Sequence, residues 1–152
     1  MQPALKITGQ HKGAITSIVQ RPDSSSDLFL TGCSDGYVRM YALSALSEET
    51  TESPVYQFDQ SSTGVKQLCT MSENTFLSSG MDNTVRLWDV RAQDHQRLLK
   101  DPNFGQLTWL QKYNSNIFAS ACNDGLVNFW DVRKMQLVKQ VTLPSHGSIS
   151  AL

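Results

Sequence analysis

Residues 78–91 read SSGMDNTVRLWDVR, and residues 120–133 read SACNDGLVNFWDVR. Residues 31–44, TGCSDGYVRMYALS, are a weaker copy. In each stretch an aspartate (Asp35, Asp82, Asp124) stands six residues before a large aromatic (Tyr41, Trp88, Trp130), and the aspartates lie 47 and then 42 residues apart. Short runs of alternating or mostly apolar residues surround them, which is the pattern of strands. In the first unit the runs are Ile15–Gln20, Leu28–Cys33 and Val38–Leu43, with Val55–Phe58 as an outer strand. In the second they are Val65–Thr70, Phe76–Met81, Val85–Val90 and Gln96–Lys100, and in the third Gln106–Lys112, Ile117–Cys122, Val127–Val132 and Leu137–Leu143. Between the second and third strands stand Ser34-Asp35-Gly36, Asp82-Asn83 and Asn123-Asp124-Gly125. Gly and Asn accept the left-handed backbone that a tight hairpin requires. No stretch shows sustained helical periodicity.

Four antiparallel strands repeated at this period make a propeller blade. The expected fold is all-β, an incomplete ring of about three and a half blades. Blade one spans 11–58 and carries a polar loop at 44–53, blade two spans 59–100, blade three spans 101–143, and 144–152 begins a fourth. The extra five residues of the first repeat fall in that loop, which reads as solvated, with a phosphorylation switch in Ser47–Ser53 as the alternative.

The units resemble WD40 repeats, and the resemblance covers nearly the whole chain. In that family a His before the first strand, a Ser or Thr on the second, an Asp in the next turn and a Trp on the third share a buried hydrogen-bond network. The resemblance implies His11, Thr31, Asp35 and Tyr41 for blade one, Ser78, Asp82 and Trp88 for blade two, and Ser120, Asp124 and Trp130 for blade three. His146 falls where a fourth blade's His is expected. Residues 1–10 correspond to the latch strand that closes the ring in this family. Blades two and three lack the His, so their networks are expected to be incomplete. The chemistry is reasonable in its own right, because a buried carboxylate is costly unless hydrogen-bonded.

Composition narrows the function. The net charge of −1 argues against a broad electrostatic grip on nucleic acid or anionic lipid. Cys33, Cys69 and Cys122 are widely spaced, without a CxxC or Cys/His cluster, and read as small buried apolar residues of a reducing compartment. No apolar run is long enough to span a bilayer, and the first residues lack a secretory pattern. The expected location is cytoplasm or nucleus. His11, Thr31 and Asp35 are the ingredients of a catalytic triad, but the Ser/Thr-x-x-x-Asp spacing recurs in units without a His, which points to a scaffold. No nucleophile elbow, HExxH or phosphate-binding glycine loop is present. No enzymatic activity, cofactor or metal is expected.

The remaining reading is a platform for other proteins, a subunit or adaptor of a larger complex. The turns that precede the first strands and the repeated Asp offer Lys12, Ala14, Ser34, Ser62, Gly64, Met81, Asn103, Gly105 and Asn123. The endings Trp88–Arg91 and Trp130–Arg133, both Trp-Asp-Val-Arg, resemble the WDxR motif by which substrate receptors dock on the adaptor of cullin-4-type ubiquitin ligases. That makes Arg91 and Arg133 candidate contacts, with pairing to Asp89 and Asp131 as the simpler alternative. A nucleic-acid or histone-tail module is a third reading. It rests on scattered Lys6, Lys12, Arg21, Arg39 and Lys66, which more often are plain surface charge. Three blades and a fragment suggest the N-terminal part of a longer propeller, a ring completed by a second copy or another propeller chain, or, least favoured, a partial arc.

Overall fold

The computed structural model describes residues 10–21, 27–45, 53–60, 63–92, 95–100 and 106–143. Twelve strands are present among them, in three four-stranded antiparallel meanders. Blade one consists of β1 (Ile15–Gln20), β2 (Leu28–Cys33), β3 (Tyr37–Ala42) and β4 (Tyr56–Asp59). Blade two consists of β5 (Val65–Thr70), β6 (Thr75–Gly80), β7 (Val85–Asp89) and β8 (His95–Leu99). Blade three consists of β9 (Leu107–Lys112), β10 (Ile117–Cys122), β11 (Leu126–Asp131) and β12 (Gln136–Thr142). Every strand starts within one residue of where hydropathy suggests, and His95 opens β8. The expected latch strand, the beginning of blade four, His146 and most of the polar loop fall outside the described residues.

The hairpin chemistry follows the sequence. Gly36, Asn83 and Gly125 occupy one turn position and all have positive φ, at 91°, 59° and 82°. Each follows the repeated Asp, whose carboxylate accepts the amide two residues on, from Tyr37, Thr84 or Leu126. This is the local bond that makes Asp a turn former.

The inner strands β1, β5 and β9 stand side by side around a cavity of about 480 Å³ lined by Ser17, Ile18, Gln67, Cys69, Trp109 and Gln111, among others. Each inner strand carries a bulge at its second residue, Thr16, Lys66 or Thr108. A bulge re-aims its side chain. Thr16 Oγ1 donates to the Val65 carbonyl at 2.8 Å, and Lys66 Nζ donates to the Leu107 carbonyl at 3.1 Å, both in the following blade. One position further on, Ser17 Oγ accepts from the Leu68 amide, and the Gln67 amide bonds both the N–H and the C=O of Leu110.

Apolar residues fill the space between blades. Leu30, Val38, Met40 and Phe58 of blade one meet Val65, Leu68, Phe76 and Trp88 of blade two. Leu77, Val85, Leu87 and Leu99 of blade two meet Leu107, Leu110, Phe118 and Trp130 of blade three. Gly32 packs tightly against blade two, since a Cβ there would lie 2.7 Å from Val65 Cγ1.

Candidate functional site

The polar network of blade one is built around a residue that the sequence pattern did not single out. Arg39 was expected at the surface, yet it is 3% exposed. It sits on β3 four residues after Asp35. Its Nη2 lies 2.9 Å from Asp35 Oδ2, and its Nη1 reaches Asp35 Oδ1 at 3.2 Å and His11 Nδ1 at 3.0 Å. Its Nε donates to Gln57 Oε1 on β4, and the guanidinium lies over the Tyr37 ring. A guanidinium only donates, so His11 Nδ1 must accept, which places the imidazole proton on Nε2. That proton faces Thr31 Oγ1 at 3.1 Å, with Tyr41 Oη at 3.4 Å. Asp35 also accepts from the Lys12 amide.

The electrostatics follow from this packing. Burial raises the Asp35 pKa, but the bonds from Arg39 and the Lys12, Cys33 and Tyr37 groups outweigh it and hold the carboxyl well below its ordinary range. Burial, then the Arg39 charge, lowers the pKa of His11, with Asp35 opposing. Burial raises Tyr41.

Blade two repeats the arrangement without a histidine. Arg86, 8% exposed, donates to Asp82 Oδ2 at 3.1 Å and to Thr84 Oγ1, and Thr84 in turn donates to Asp82. Gln60, buried in the segment leading to β5, stands close to this group: a Cβ on Gly80 would approach Asp82 Oδ1, Gln60 Nε2 and Arg86 Nη1 together. In place of a His, the Asp82 carboxylate of blade two is held by the Arg86 and Thr84 side chains. Burial raises the Asp82 pKa, and the bonds from Thr84 and Arg86 outweigh it.

Blade three is different. Asn128 takes the arginine position and bonds Gln140 at 2.8 Å. Asp124 is exposed and serves its turn through the Leu126 amide, so its expected place in a buried network is not where the fold puts it. The Trp–Ser part is kept in both later blades. Trp88 Nε1 donates to Ser78 Oγ, and Trp130 Nε1 donates to Ser120 Oγ, each at 2.8 Å.

The triad-like residues of blade one are arranged for structure. Arg39, not His11, engages Asp35, and Thr31 is 3% exposed. His11, Cys33 and Asp35 bring three ligand atoms within 4.8 Å of one another. The Arg39 cation already uses the His11 and Asp35 lone pairs, which leaves a metal ion a repelling neighbour and a depleted donor set. Arg21 donates to the Glu73 carbonyl and Asn74 Oδ1 of blade two. With Lys66 also bonded across blades and Arg39 held by Asp35, three of the scattered cations considered for nucleic acid are committed to the fold, while Lys12 is exposed and Lys6 lies outside the described residues.

Two rims remain. On one, Ser34, Met81 and Asn123 are equivalent. Ser34 Oγ accepts from the Ala14 amide and Asn123 Oδ1 from the Gln106 amide. Met81 makes no such bond; it lies over Gly64 and is 51% exposed. The Lys12 side chain is exposed on this rim. Ser62, Asn103 and Gly105 lie outside the described residues.

On the other rim, Arg91 and Arg133 adopt the same pose. Each guanidinium forks onto the aspartate two residues earlier: Arg91 onto Asp89 at 2.9 and 2.6 Å, and Arg133 onto Asp131 at 3.1 and 2.7 Å. These bonds, with the Arg91 and Arg133 amides, bring both carboxyls down to about 2. The arginine side chains remain 70% and 63% exposed.

The family described as WD domain, G-beta repeat matches residues 2–41 and 52–89, together just over half of the chain. No curated protein matches it. The matched stretches hold His11, Thr31, Asp35, Ser78, Asp82 and Trp88, the residues whose bonds organise the first two blades. The chain belongs to the WD40 repeat family, an all-β propeller fold whose repeats mediate protein–protein interaction.

Proposed function

We propose that this chain is a non-catalytic scaffold, a subunit or adaptor that holds other proteins against its rims in the cytoplasm or nucleus. One observation carries the reading. The histidine, carboxylates and hydroxyls of blades one and two are engaged in bonds within their blades, while exposed side chains project from both rims. Family membership supports it, since such repeats generally serve protein–protein interaction. On the first rim Met81 is the contact most open to a partner, because its polarizable thioether adapts to varied surfaces and it has no bond to its own loop.

The finer alternative is docking on a ubiquitin-ligase adaptor through Arg91 and Arg133. What favours it is the identical pose in adjacent blades. Each fork is pre-organised by its own aspartate, and most of the guanidinium is left in water. Capture of partners from a cell extract by the wild-type chain, by Met81→Asp and by Arg91→Ala with Arg133→Ala tests both. Loss with Met81→Asp supports the first rim. Loss of a cullin-4 adaptor with the double change supports the second. Capture that survives both changes overturns both assignments.

A further inference from the structure

The turns after β3, β7 and β11 occupy one place in the three blades. Ala42, Asp89 and Asp131 pair with the first residue of the preceding strand, Leu28, Thr75 or Ile117. The next amide then donates to the neighbouring turn of the same blade: Leu43 to the Asp27 carbonyl, Val90 to Asn74 and Val132 to Asn116, at 2.9, 2.8 and 2.8 Å. In blade one Ala42 and Ser44 stand where the later blades have Asp and Arg, and the Ser44 amide bonds Asp27 Oδ2 instead. The same turn therefore closes without a guanidinium, and the arginines of blades two and three are not there to form it.

The fork sorts the charges by depth. The Asp89 and Asp131 side chains are 17% and 14% exposed, under arginines that are 70% and 63% exposed. Each carboxylate is occupied by its own turn. Oδ1 accepts the arginine's main-chain amide and Nε, and Oδ2 accepts Nη2. A guanidinium carries five N–H groups. Two face the aspartate, and the other three make no bond among the described residues. What reaches the surface is a fixed set of donors whose charge is already balanced from within.

A partner carboxylate gains little at such a point, because the aspartate behind the guanidinium offsets the attraction. Glu73 adds to the repulsion on this rim; it is exposed beside the Asn74 carbonyl that receives the Val90 amide. A neutral acceptor meets neither penalty and still forms a hydrogen bond to a charged donor, the stronger kind.

We infer that this rim recognises main-chain carbonyls of a partner protein, with Arg91 and Arg133 as the donors and Asp89 and Asp131 as positioning residues. The inference rests on the docking reading above and adds the chemistry of the contact. The partner presents two sets of unpaired carbonyls one blade apart, of the kind found at a helix C-terminus or a strand edge.

Titration calorimetry of the 152-residue chain with the purified cullin-4 adaptor subunit tests this. The Kd is expected to change less than about threefold between about 0.05 and 0.5 M salt, since no net charge is neutralised. Asp89→Asn keeps an oxygen for the turn amide but loosens the guanidinium, and weakens binding roughly two- to tenfold, the cost of ordering one long side chain. Arg91→Lys keeps the charge without the fork and binds no better than Arg91→Ala. Binding that is unchanged or tighter with Asp89→Asn, a larger salt effect, or full binding by Arg91→Lys overturns this inference and leaves docking through the arginines standing. No binding by the wild-type chain, or binding unaffected by Arg91→Ala with Arg133→Ala, overturns the docking reading and this inference with it.

Discussion

Arg39 and Asp35 stand 2.9 Å apart with side chains only 4% and 7% exposed, whereas the equivalent pair Arg86–Asp82 is 3.1 Å apart with Asp82 27% exposed. In blade three the pair does not exist, because Asn128 replaces the arginine and Asp124 faces water. The repeated aspartate thus works in three settings of falling burial. Removing one member of a buried pair strands the other charge and costs about 3–5 kcal/mol. Asp35→Ala should cost that much, Asp82→Ala about 1–3 kcal/mol, and Asp124→Ala less than about 1 kcal/mol, the worth of one exposed turn bond. Urea unfolding of the three variants checks the order, and equal losses would show that burial does not set it.

The indole–hydroxyl bonds of blades two and three give a second test. Ser78 is fully buried and receives Trp88 Nε1 at 2.8 Å. Ser78→Ala leaves that donor without its acceptor and should cost about 1–3 kcal/mol. Trp88→Phe removes the donor and part of the packing against Phe58 and Phe76. In the double variant the losses should be less than additive by about 1 kcal/mol. Additive losses would mean that the bond contributes nothing net.

Acid should weaken the fold in two stages, both of the same sign. The pKa of His11 is lowered by burial and by Arg39, so the unfolded chain binds the proton more readily. Stability is therefore full above the unfolded value of about 6.5 and falls as pH drops through the folded value. Asp35 and Asp82 are also lowered, and their contribution is lost below the unfolded carboxylate value of about 3.9. His11→Gln should flatten the profile between neutral and mildly acid pH while leaving the lower limb in place. Thermal melts across that range decide it; an unchanged upper limb would assign it to another histidine.

Gly32 leaves no room for a side chain between blades one and two. Gly32→Ala would press its methyl onto Val65 Cγ1 and should cost about 1–3 kcal/mol by overpacking. Adding Val65→Ala removes the obstructing methyl groups, so the cost of Gly32→Ala measured in that background should shrink. A cost that stays the same would place the strain in the backbone instead.

Strand positions and turn types were legible because each has a local signature, period-two hydropathy and Asp-Gly or Asp-Asn, whereas the Trp–Ser bonds were implied by the resemblance to WD40 repeats. Arg39 was not. An arginine on a strand reads as solvated until the folded register sets it between His11 and Asp35. The available signal was the repeat itself, since Asp35-Gly-Tyr-Val-Arg39 and Asp82-Asn-Thr-Val-Arg86 keep the arginine four residues on and blade three changes it to Asn128. Gln60 was hidden for a different reason. It stands beside Asp82 and Arg86, and an uncharged side chain in a connecting segment carries no local sign of burial.

The forks at Arg91 and Arg133 have a metric consequence. Each guanidinium is clamped by its own blade, so their separation is fixed by the packing of blade two on blade three and not by side-chain wandering. The pair works as a ruler one blade wide. For a partner that touches both marks, the second contact is an intramolecular event with a high effective concentration. Losing either arginine then removes the avidity as well as one contact, and a change at the buried Leu99–Leu107 junction can alter recognition on a rim it never reaches.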